Sequence, residues 1–151
     1  MIHTRPLFEI RLQVLEIVDL GDTPLGRRRI ASVAGGTFEG ERLRGEVLAS
    51  AAGDWLLQRA DGTTALDVRL TLCTDDGALV YMAYRGLRHG PPEVMARLAA
   101  GETVDPNSYY FRVAPTFETS SQKYGWLNRI LAVGIGRREK TGPIYAVHEI
   151  L

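Results

Sequence analysis

Residues 64–86 constrain the fold of this chain more than any other stretch. The segments TALDVRLTLC and ALVYMAYRG are separated by an Asp-Asp-Gly turn. Two alternating segments around such a turn predict a long β-hairpin. Because successive strand side chains point to opposite faces, the first arm has an aliphatic face and a polar face. The aliphatic face carries Leu66, Val68, Leu70 and Leu72, and the polar face carries Asp67, Arg69 and Thr71.

The orientation of this hairpin decides what a closed sheet would enclose. We predict that the polar face with Asp67, Arg69 and Thr71 points inward and that the aliphatic stripe lies outside. A stripe of that length is more apolar surface than a soluble monomer usually exposes. The sequence therefore predicts a homo-oligomer, with a two-fold dimer favoured because it is the commonest closed arrangement. The variant Leu70→Glu should then dissociate the oligomer and leave the barrel folded.

The rest of the chain reads as short strands separated by turn residues, with one helix of about nine residues between Pro92 and Gly101. Its 151 residues suit a single domain spanning 1–151. The paired Gly35 and Gly36 indicate either a bulge or a close approach of backbone or ligand. Further strands are predicted over 7–18, 27–38, 42–48, 54–59, 109–114, 126–137 and 144–151, with loops over 19–26 and 115–123.

Eight or nine short strands with one minor helix define the expected fold class. The pattern is typical of an all-β protein, either a sandwich or an antiparallel β-barrel. We favour the barrel because closure removes exposed sheet edges and because an eight-stranded barrel can hold a small ligand. The short helix is predicted to cover one barrel end.

Composition and missing motifs narrow the functional classes. The 18 basic and 18 acidic residues are interspersed, so nucleic acid is not an expected partner. Cys73 cannot form an internal disulfide, and the N-terminus resembles neither a signal peptide nor a membrane span, which predicts a cytoplasmic protein. His3, His89 and His148 lack metal-ligand spacing. The absence of GxGxxG and P-loop motifs predicts that no nucleotide cofactor is used, and the absence of a GxSxG motif argues against serine hydrolase chemistry.

Five motifs occur in an order that resembles a known family. They are RRIASVAGGTFEGERLRGEVL, GDWLLQRADGTTALDVR, TDDGALVYMAYRG, DPNSYYFRVAPTFET and YGWLNRILAVGIGRR. Together they cover nearly the whole chain and resemble the bacterial domain-of-unknown-function family 3237. The resemblance implies a single β-barrel domain, and it implies no particular activity.

The segment YYFRVAPTFET carries one set of candidate site residues. We predict that Arg112 lies near the mouth of the barrel, where its guanidinium could clamp a carboxylate. A structural ion pair with Asp67 or Glu118 is the competing interpretation. Glu118 could act as a general acid or base if the helix covers it, because burial raises a carboxyl pKa. If Glu118 is solvated, it is an ordinary surface carboxylate. Tyr110 shares the predicted face of Arg112.

A second set of candidates comes from YGWLN and from two acidic positions. Tyr124, Trp126 and Asn128 share one face of a predicted strand and could supply the polar groups of a ligand pocket. Tyr124 and Trp126 could instead be ordinary core residues. Asp54 is a second candidate for proton transfer. Asp67 and Arg69 could contact a ligand, although a buried pair of this kind more often serves the scaffold.

These residues support three hypotheses. The first is a cofactor-free isomerase, hydratase or lyase acting on a small organic acid or aromatic compound, with Glu118, Asp54 and Tyr110 as catalytic groups. Its ligand-binding residues would be Arg112, Asp67, Arg69, Tyr124, Trp126 and Asn128. The second is a protein that binds a small molecule in the same pocket without chemistry. The third is an interaction module whose barrel is packed solid.

Overall fold

The computed structural model describes residues 1–151, and it confirms a mostly antiparallel β fold with one helix. The α-helix, α1, spans Pro92–Ala99 and is the longest helical segment, so no helix is long and apolar enough to cross a membrane. Short 3₁₀ turns occur at Ala49–Ala51, Pro106–Ser108 and Gly125–Arg129. The nine strands are β1 (Thr4–Thr23), β2 (Gly26–Glu39), β3 (Arg44–Val47), β4 (Gly53–Gln58), β5 (Thr64–Thr74), β6 (Leu79–His89), β7 (Tyr110–Glu118), β8 (Ala132–Glu139) and β9 (Gly142–Ile150).

The sheet closes on itself. Strands β5 to β9 pair in sequence, β9 pairs with β1, and β1 pairs with β2. The short strands β3 and β4 share the remaining position, since both lie between β2 and β5 at opposite ends. The result is a barrel with eight positions around its circumference. We call the mouth near α1 the helix end and the opposite mouth, near β3, the closed end.

The aliphatic face of the β5–β6 hairpin fills the barrel, so the predicted orientation was wrong. Leu66, Val68, Leu70 and Leu72 are at most 4 % exposed, whereas Asp67, Arg69 and Thr71 lie on the outer wall. The register places Met82 beside Leu70 and Tyr84 beside Val68 on the same inner face. A barrel of eight positions is narrow and is filled by side chains, so its aliphatic stripe is needed inside. The aliphatic stripe that suggested a dimer is therefore not exposed, and the oligomeric state stays a prediction.

Strand β1 is longer than predicted. It runs for 20 residues and pairs with β2 through the region assigned to the loop 19–26, which leaves only a tight turn at Pro24 and Leu25. Register shifts around Val14 and Gly21 let this ribbon bend as it extends past the helix end. Gly21 has a positive φ of 79°, which a glycine adopts readily. The turn signals in this segment therefore mark bulges as well as the turn.

The Gly35-Gly36 pair is a bulge and a close backbone contact. In the pairing with β1, Ala34 is left without a partner beside Gly35. Gly36 pairs with Leu12 of β1 and with Val47 of β3. A Cβ at position 36 would collide with the carbonyl oxygen of Arg11. The bulge interpretation is confirmed, and the approaching group is backbone.

The segment after β6 differs most from the predicted strands. Strand β7 continues to Glu118 through the predicted loop, and β8 begins only at Ala132. Between them the 3₁₀ turn Gly125–Arg129 places the fully buried Leu127 in the core. Strands β7 and β8 share only two paired positions, so a chain segment other than a strand is needed to fill that seam.

Candidate ligand-binding cavity

A partly enclosed cavity of about 270 Å³ lies at the helix end of the barrel. Met95 and Leu98 of α1 form its lid, which agrees with the expected position of the helix, and Ile17 of the β1–β2 ribbon forms a side wall. Leu56 and Thr64 contribute from the barrel wall. The remaining wall is basic, because Arg29, Arg88 and Arg138 all reach this cavity.

The three arginines have no carboxylate partner among the ion pairs of the protein. The Nε atom of Arg29 is buried without any hydrogen-bond partner. Burial and the nearby Arg138 lower the pKa of Arg88, although a guanidinium remains charged near neutral pH. Buried donors are almost always paired in folded proteins, so these partly buried guanidiniums are free to bind an anion that enters the cavity.

Asp54 lies below the floor of the cavity, one inward-facing position deeper than Leu56 on β4. Its backbone pairs with Val68 and Ala31, both of which face the interior. Burial raises the pKa of Asp54 to about 6, and it outweighs the lowering effects of the Asp67 backbone N–H and of the Arg88 and Arg138 charges. That N–H donates to Oδ1 of Asp54 over 3.2 Å. A carboxylate with this pKa is suited to accepting a proton near neutral pH.

Two buried tyrosines stand next to Asp54. The rings of Tyr84 and Tyr145 meet edge to face with centroids 5.2 Å apart. The Tyr84 hydroxyl is buried without a hydrogen-bond partner, although the Tyr145 hydroxyl lies nearby. Burial raises the pKa of both hydroxyls, so each remains protonated and able to donate. Neutral donors beside a carboxylate and three guanidiniums can hold an anion and move a proton.

A larger depression of about 620 Å³ lies on the outer wall, but it is open to solvent. It contains three of the predicted site residues, Asp67, Tyr110 and Arg112. Arg112 was expected near the barrel mouth and instead lies over the Tyr110 ring, with its Cζ atom 5.0 Å from the ring centroid. Arg69 stands beside this depression, 3.7 Å from Asp67. These side chains are on the outer face because every second residue of β5 and β7 belongs to the core. The partly enclosed cavity is the better candidate for chemistry because only there do unpaired buried groups converge.

Glu118 is solvated, so the interpretation that required a covering lid was wrong. It is the last residue of β7, it is exposed on the outer face, and it forms no ion pair or hydrogen bond. It shares a shallow surface depression with Tyr81 and Asn128, far along the barrel from the helix-end cavity.

Tyr124, Trp126 and Asn128 do not share a face, because the 3₁₀ turn replaces the predicted strand. The Tyr124 hydroxyl donates to Asp76 over 2.9 Å, and Asn128 exchanges two hydrogen bonds with the backbone of Thr119. Trp126 lies under the guanidinium of Arg42 at 4.0 Å. All three lie near the closed end, where Tyr124 is buried, Trp126 is half-buried and Asn128 is exposed.

The sequence pattern could have predicted the residues that the structure adds to the site. Tyr84 and Arg88 share one face of β6 with Val80 and Met82, because they are separated by even numbers of residues. Arg29 likewise shares one face of β2 with Ala31 and Val33. Placing the leucine stripe inside the barrel would have placed these side chains inside with it. No group of three His, Cys, Asp or Glu side chains comes together as a potential metal site.

Comparison with known proteins assigns the chain to a family. Residues 2–150 match the family described as "Protein of unknown function (DUF3237)". The chain belongs to this family. A UPF0311 protein of Rhodopseudomonas palustris is 36 % identical over 150 residues, which cover 99 % of this chain and 97 % of that protein.

Solved structures with the same fold include close and distant relatives. A β-barrel-like protein of Acinetobacter baumannii is 40 % identical, with a TM-score of 0.87 over 100 % of this chain and 97 % of that chain. The conserved protein of unknown function from Rhodopseudomonas palustris is 35 % identical, with a TM-score of 0.96 over 100 % and 99 % of the two chains. An enzyme from Penicillium herquei, 21 % identical, has a TM-score of 0.74 over 99 % and 95 %. At that identity the likeness extends to the fold alone.

Proposed function

We propose that this protein binds a small organic anion in the helix-end cavity and catalyses a cofactor-free proton transfer on it. The observation that carries the proposal is the cluster of Arg29, Arg88 and Arg138, which face one partly enclosed cavity without a carboxylate partner. A carboxylate, enolate or phenolate would satisfy these donors in a space that is partly shielded from solvent.

Asp54 is the proposed base. An acidic C–H or O–H group of the bound molecule would give its proton to the Asp54 carboxylate, whose raised pKa suits it to this exchange. The guanidiniums would stabilise the negative charge that develops on the neighbouring oxygen, and the Tyr84 hydroxyl would donate to it. Return of the proton to a different atom gives an isomerisation. Loss or addition of a group at the adjacent carbon gives a lyase or hydratase reaction.

The distant neighbour from Penicillium herquei supports catalysis by analogy only. That protein is described as an enzyme, so a barrel of this shape can host a reaction. The reaction itself must be argued from the residues of this chain.

A binding protein without chemistry is the second candidate. Asp54 does not line the cavity directly and lies below its floor, where it could serve to balance the charge of the arginines. In that case a ligand would be held by the arginines and would never reach the carboxylate.

The test begins with a thermal-shift screen of small carboxylic acids and phenols at neutral pH. Wild type should be stabilised by at least one compound, and Arg88→Gln should lose that stabilisation. Arg44→Gln is the matched control, because Arg44 is exposed at the closed end and also forms no ion pair. Equal loss in both variants, or no shift for any compound, contradicts the cavity as an anion site.

Exchange of ligand protons in deuterated water then separates enzyme from binder. For a compound that binds, wild type should catalyse C–H exchange visible by NMR. Asp54→Asn should retain binding and lower the exchange rate by about 10²–10⁴-fold, the usual contribution of a general base. Binding without exchange in wild type decides for the binding protein.

A further inference from the structure

The outer-wall depression carries a second concentration of unpaired positive charge. Seven of the sixteen arginines of the chain form ion pairs, which leaves nine that do not. Three of the nine line the helix-end cavity, and four line the outer depression, namely Arg28, Arg59, Arg85 and Arg112. We call this depression the outer groove. Its one acid, Asp67, is engaged by Arg69.

The floor of the groove is apolar and its aromatic walls are half exposed. Leu57, Ala65 and Leu87 are cross-strand neighbours on β4, β5 and β6. Trp55 is 38 % exposed and Tyr110 is 44 % exposed on either side of this floor. The Tyr110 ring is oriented by stacking on the His89 ring, with the two centroids 4.9 Å apart. Arg, Trp and Tyr are the residue types that dominate binding energy at protein interfaces.

The arginines are spread too widely for one small anion to contact all four of them. Arg28 pairs across the strands with Leu57, and Arg112 pairs with Leu87, so the two arginines stand at opposite sides of a five-strand row. At the usual separation of neighbouring strands this row is about 19 Å long, measured along the curved outer wall. An extended peptide needs about six residues to cover that distance.

We propose that the outer groove docks an extended acidic segment of a partner protein. Carboxylates at alternate positions share one face of an extended segment, and they would pair with Arg28, Arg85 and Arg112 across the apolar floor. Charge complementarity selects this occupant. A second copy seated across a two-fold axis would bring the same arginines face to face, which costs binding energy.

The apolar floor and Asp67 also distinguish this groove from a nucleic-acid site. A strand-binding groove follows the phosphates with basic residues along its length, whereas here a carboxylate and aliphatic side chains occupy the centre.

The experiment measures fluorescence anisotropy of a labelled peptide of about eight residues, with Glu at alternate positions and Leu or Ser between them. A matched peptide carries Gln in place of every Glu. The Glu peptide should bind, its affinity should fall with added salt, and the Gln peptide should bind at least about tenfold more weakly, as expected when several exposed ion pairs are lost. A thymidine oligonucleotide of similar length is the nucleic-acid probe.

Single variants locate the site. Arg85→Gln and Arg112→Gln should each weaken binding of the Glu peptide by about twofold to fivefold, the value of one exposed ion pair. Arg44→Gln and Arg129→Gln should leave it unchanged, because these arginines are also unpaired but lie outside the groove. Equal weakening in the controls, no binding of the Glu peptide, or tighter binding of the oligonucleotide overturns the proposal. Sedimentation that shows a dimer dissociated by Arg112→Gln overturns it as well, in favour of a second copy.

Discussion

The two ends of the barrel are built from the same strands but treat polar groups in opposite ways. At the closed end the Phe8 ring packs on Phe38 and Phe117, with centroids 5.5 and 5.9 Å away. Glu149, although 7 % exposed, accepts hydrogen bonds from both Arg5 and Arg42. These bonds lower the pKa of Glu149 and keep it ionised.

At the helix end the polar groups lack such partners. The arginines around the cavity face no carboxylate within ion-pair distance. The Tyr84 hydroxyl and the Nε atom of Arg29 have no hydrogen-bond partner. Unpaired buried groups cost stability, so a fold that keeps them does so for a purpose other than stability. The contrast supports the proposal that the closed end holds the barrel together and that the helix end is the ligand site.

The largest effect should come from placing a charge one layer below the cavity. Leu70 is fully buried and lies next to Val68, the cross-strand neighbour of Asp54. Leu70→Glu buries a carboxyl group that no arginine can reach, which should cost about 4 kcal/mol or more and leave most of the protein unfolded. Circular dichroism and urea unfolding measure this. Thr71→Glu, on the outer face, is the control that should fold normally. A folded but dissociated Leu70→Glu protein would restore the exposed-stripe interpretation.

The pH dependence of stability should differ between wild type and Asp54→Asn. A folded-state pKa of about 6, raised from 3.8, means that folded Asp54 binds a proton that unfolded Asp54 releases. Its stabilising contribution is therefore full below about pH 4 and disappears as the pH rises through about 6. Asp54→Asn, whose Oδ1 can still accept the Asp67 N–H, avoids this loss. It should gain up to about 3 kcal/mol relative to wild type between pH 4 and pH 7.

Urea unfolding at several pH values provides the measurement. Glu149 and Asp76 have lowered pKa values and act in the opposite direction, since their contributions are lost as the pH falls. These contributions are common to both proteins and cancel in the difference. A difference that stays flat from pH 4 to pH 7 would mean that Asp54 is solvated.

The fold could be predicted further than the site. Alternation and turn residues located the hairpin, the strand number and the short helix, because a barrel repeats local signals that each strand carries by itself. Which face of β5 points inward is not a local property. Leu70 and Arg69 alternate equally well in either orientation, and the choice depends on how little space eight strands leave inside.

The choice of the inward strand face also decided which candidate residues lie inside the barrel. Arg112 and Tyr110 were assigned with the wrong face of β7, whereas Asp54 was named independently of the hairpin and lies inside the barrel. The error at Trp126 has another cause. Its 3₁₀ turn is stabilised by tertiary contacts, such as the stacking of the Arg42 guanidinium on the Trp126 ring. A local sequence pattern does not predict such contacts.

The smallest effect comes from one matched pair of substitutions, and it separates the two ends by sign. Tyr84→Phe removes a buried hydroxyl that has no partner, so it should raise the melting temperature by about 2–4 °C. Tyr124→Phe removes a hydroxyl that donates to Asp76, so it should lower the melting temperature by about the same 2–4 °C. Differential scanning calorimetry resolves both shifts. Ligand stabilisation should weaken in Tyr84→Phe and persist in Tyr124→Phe. If both variants lose stability equally, the Tyr84 hydroxyl has a partner inside the protein, and the helix end is as saturated as the closed end.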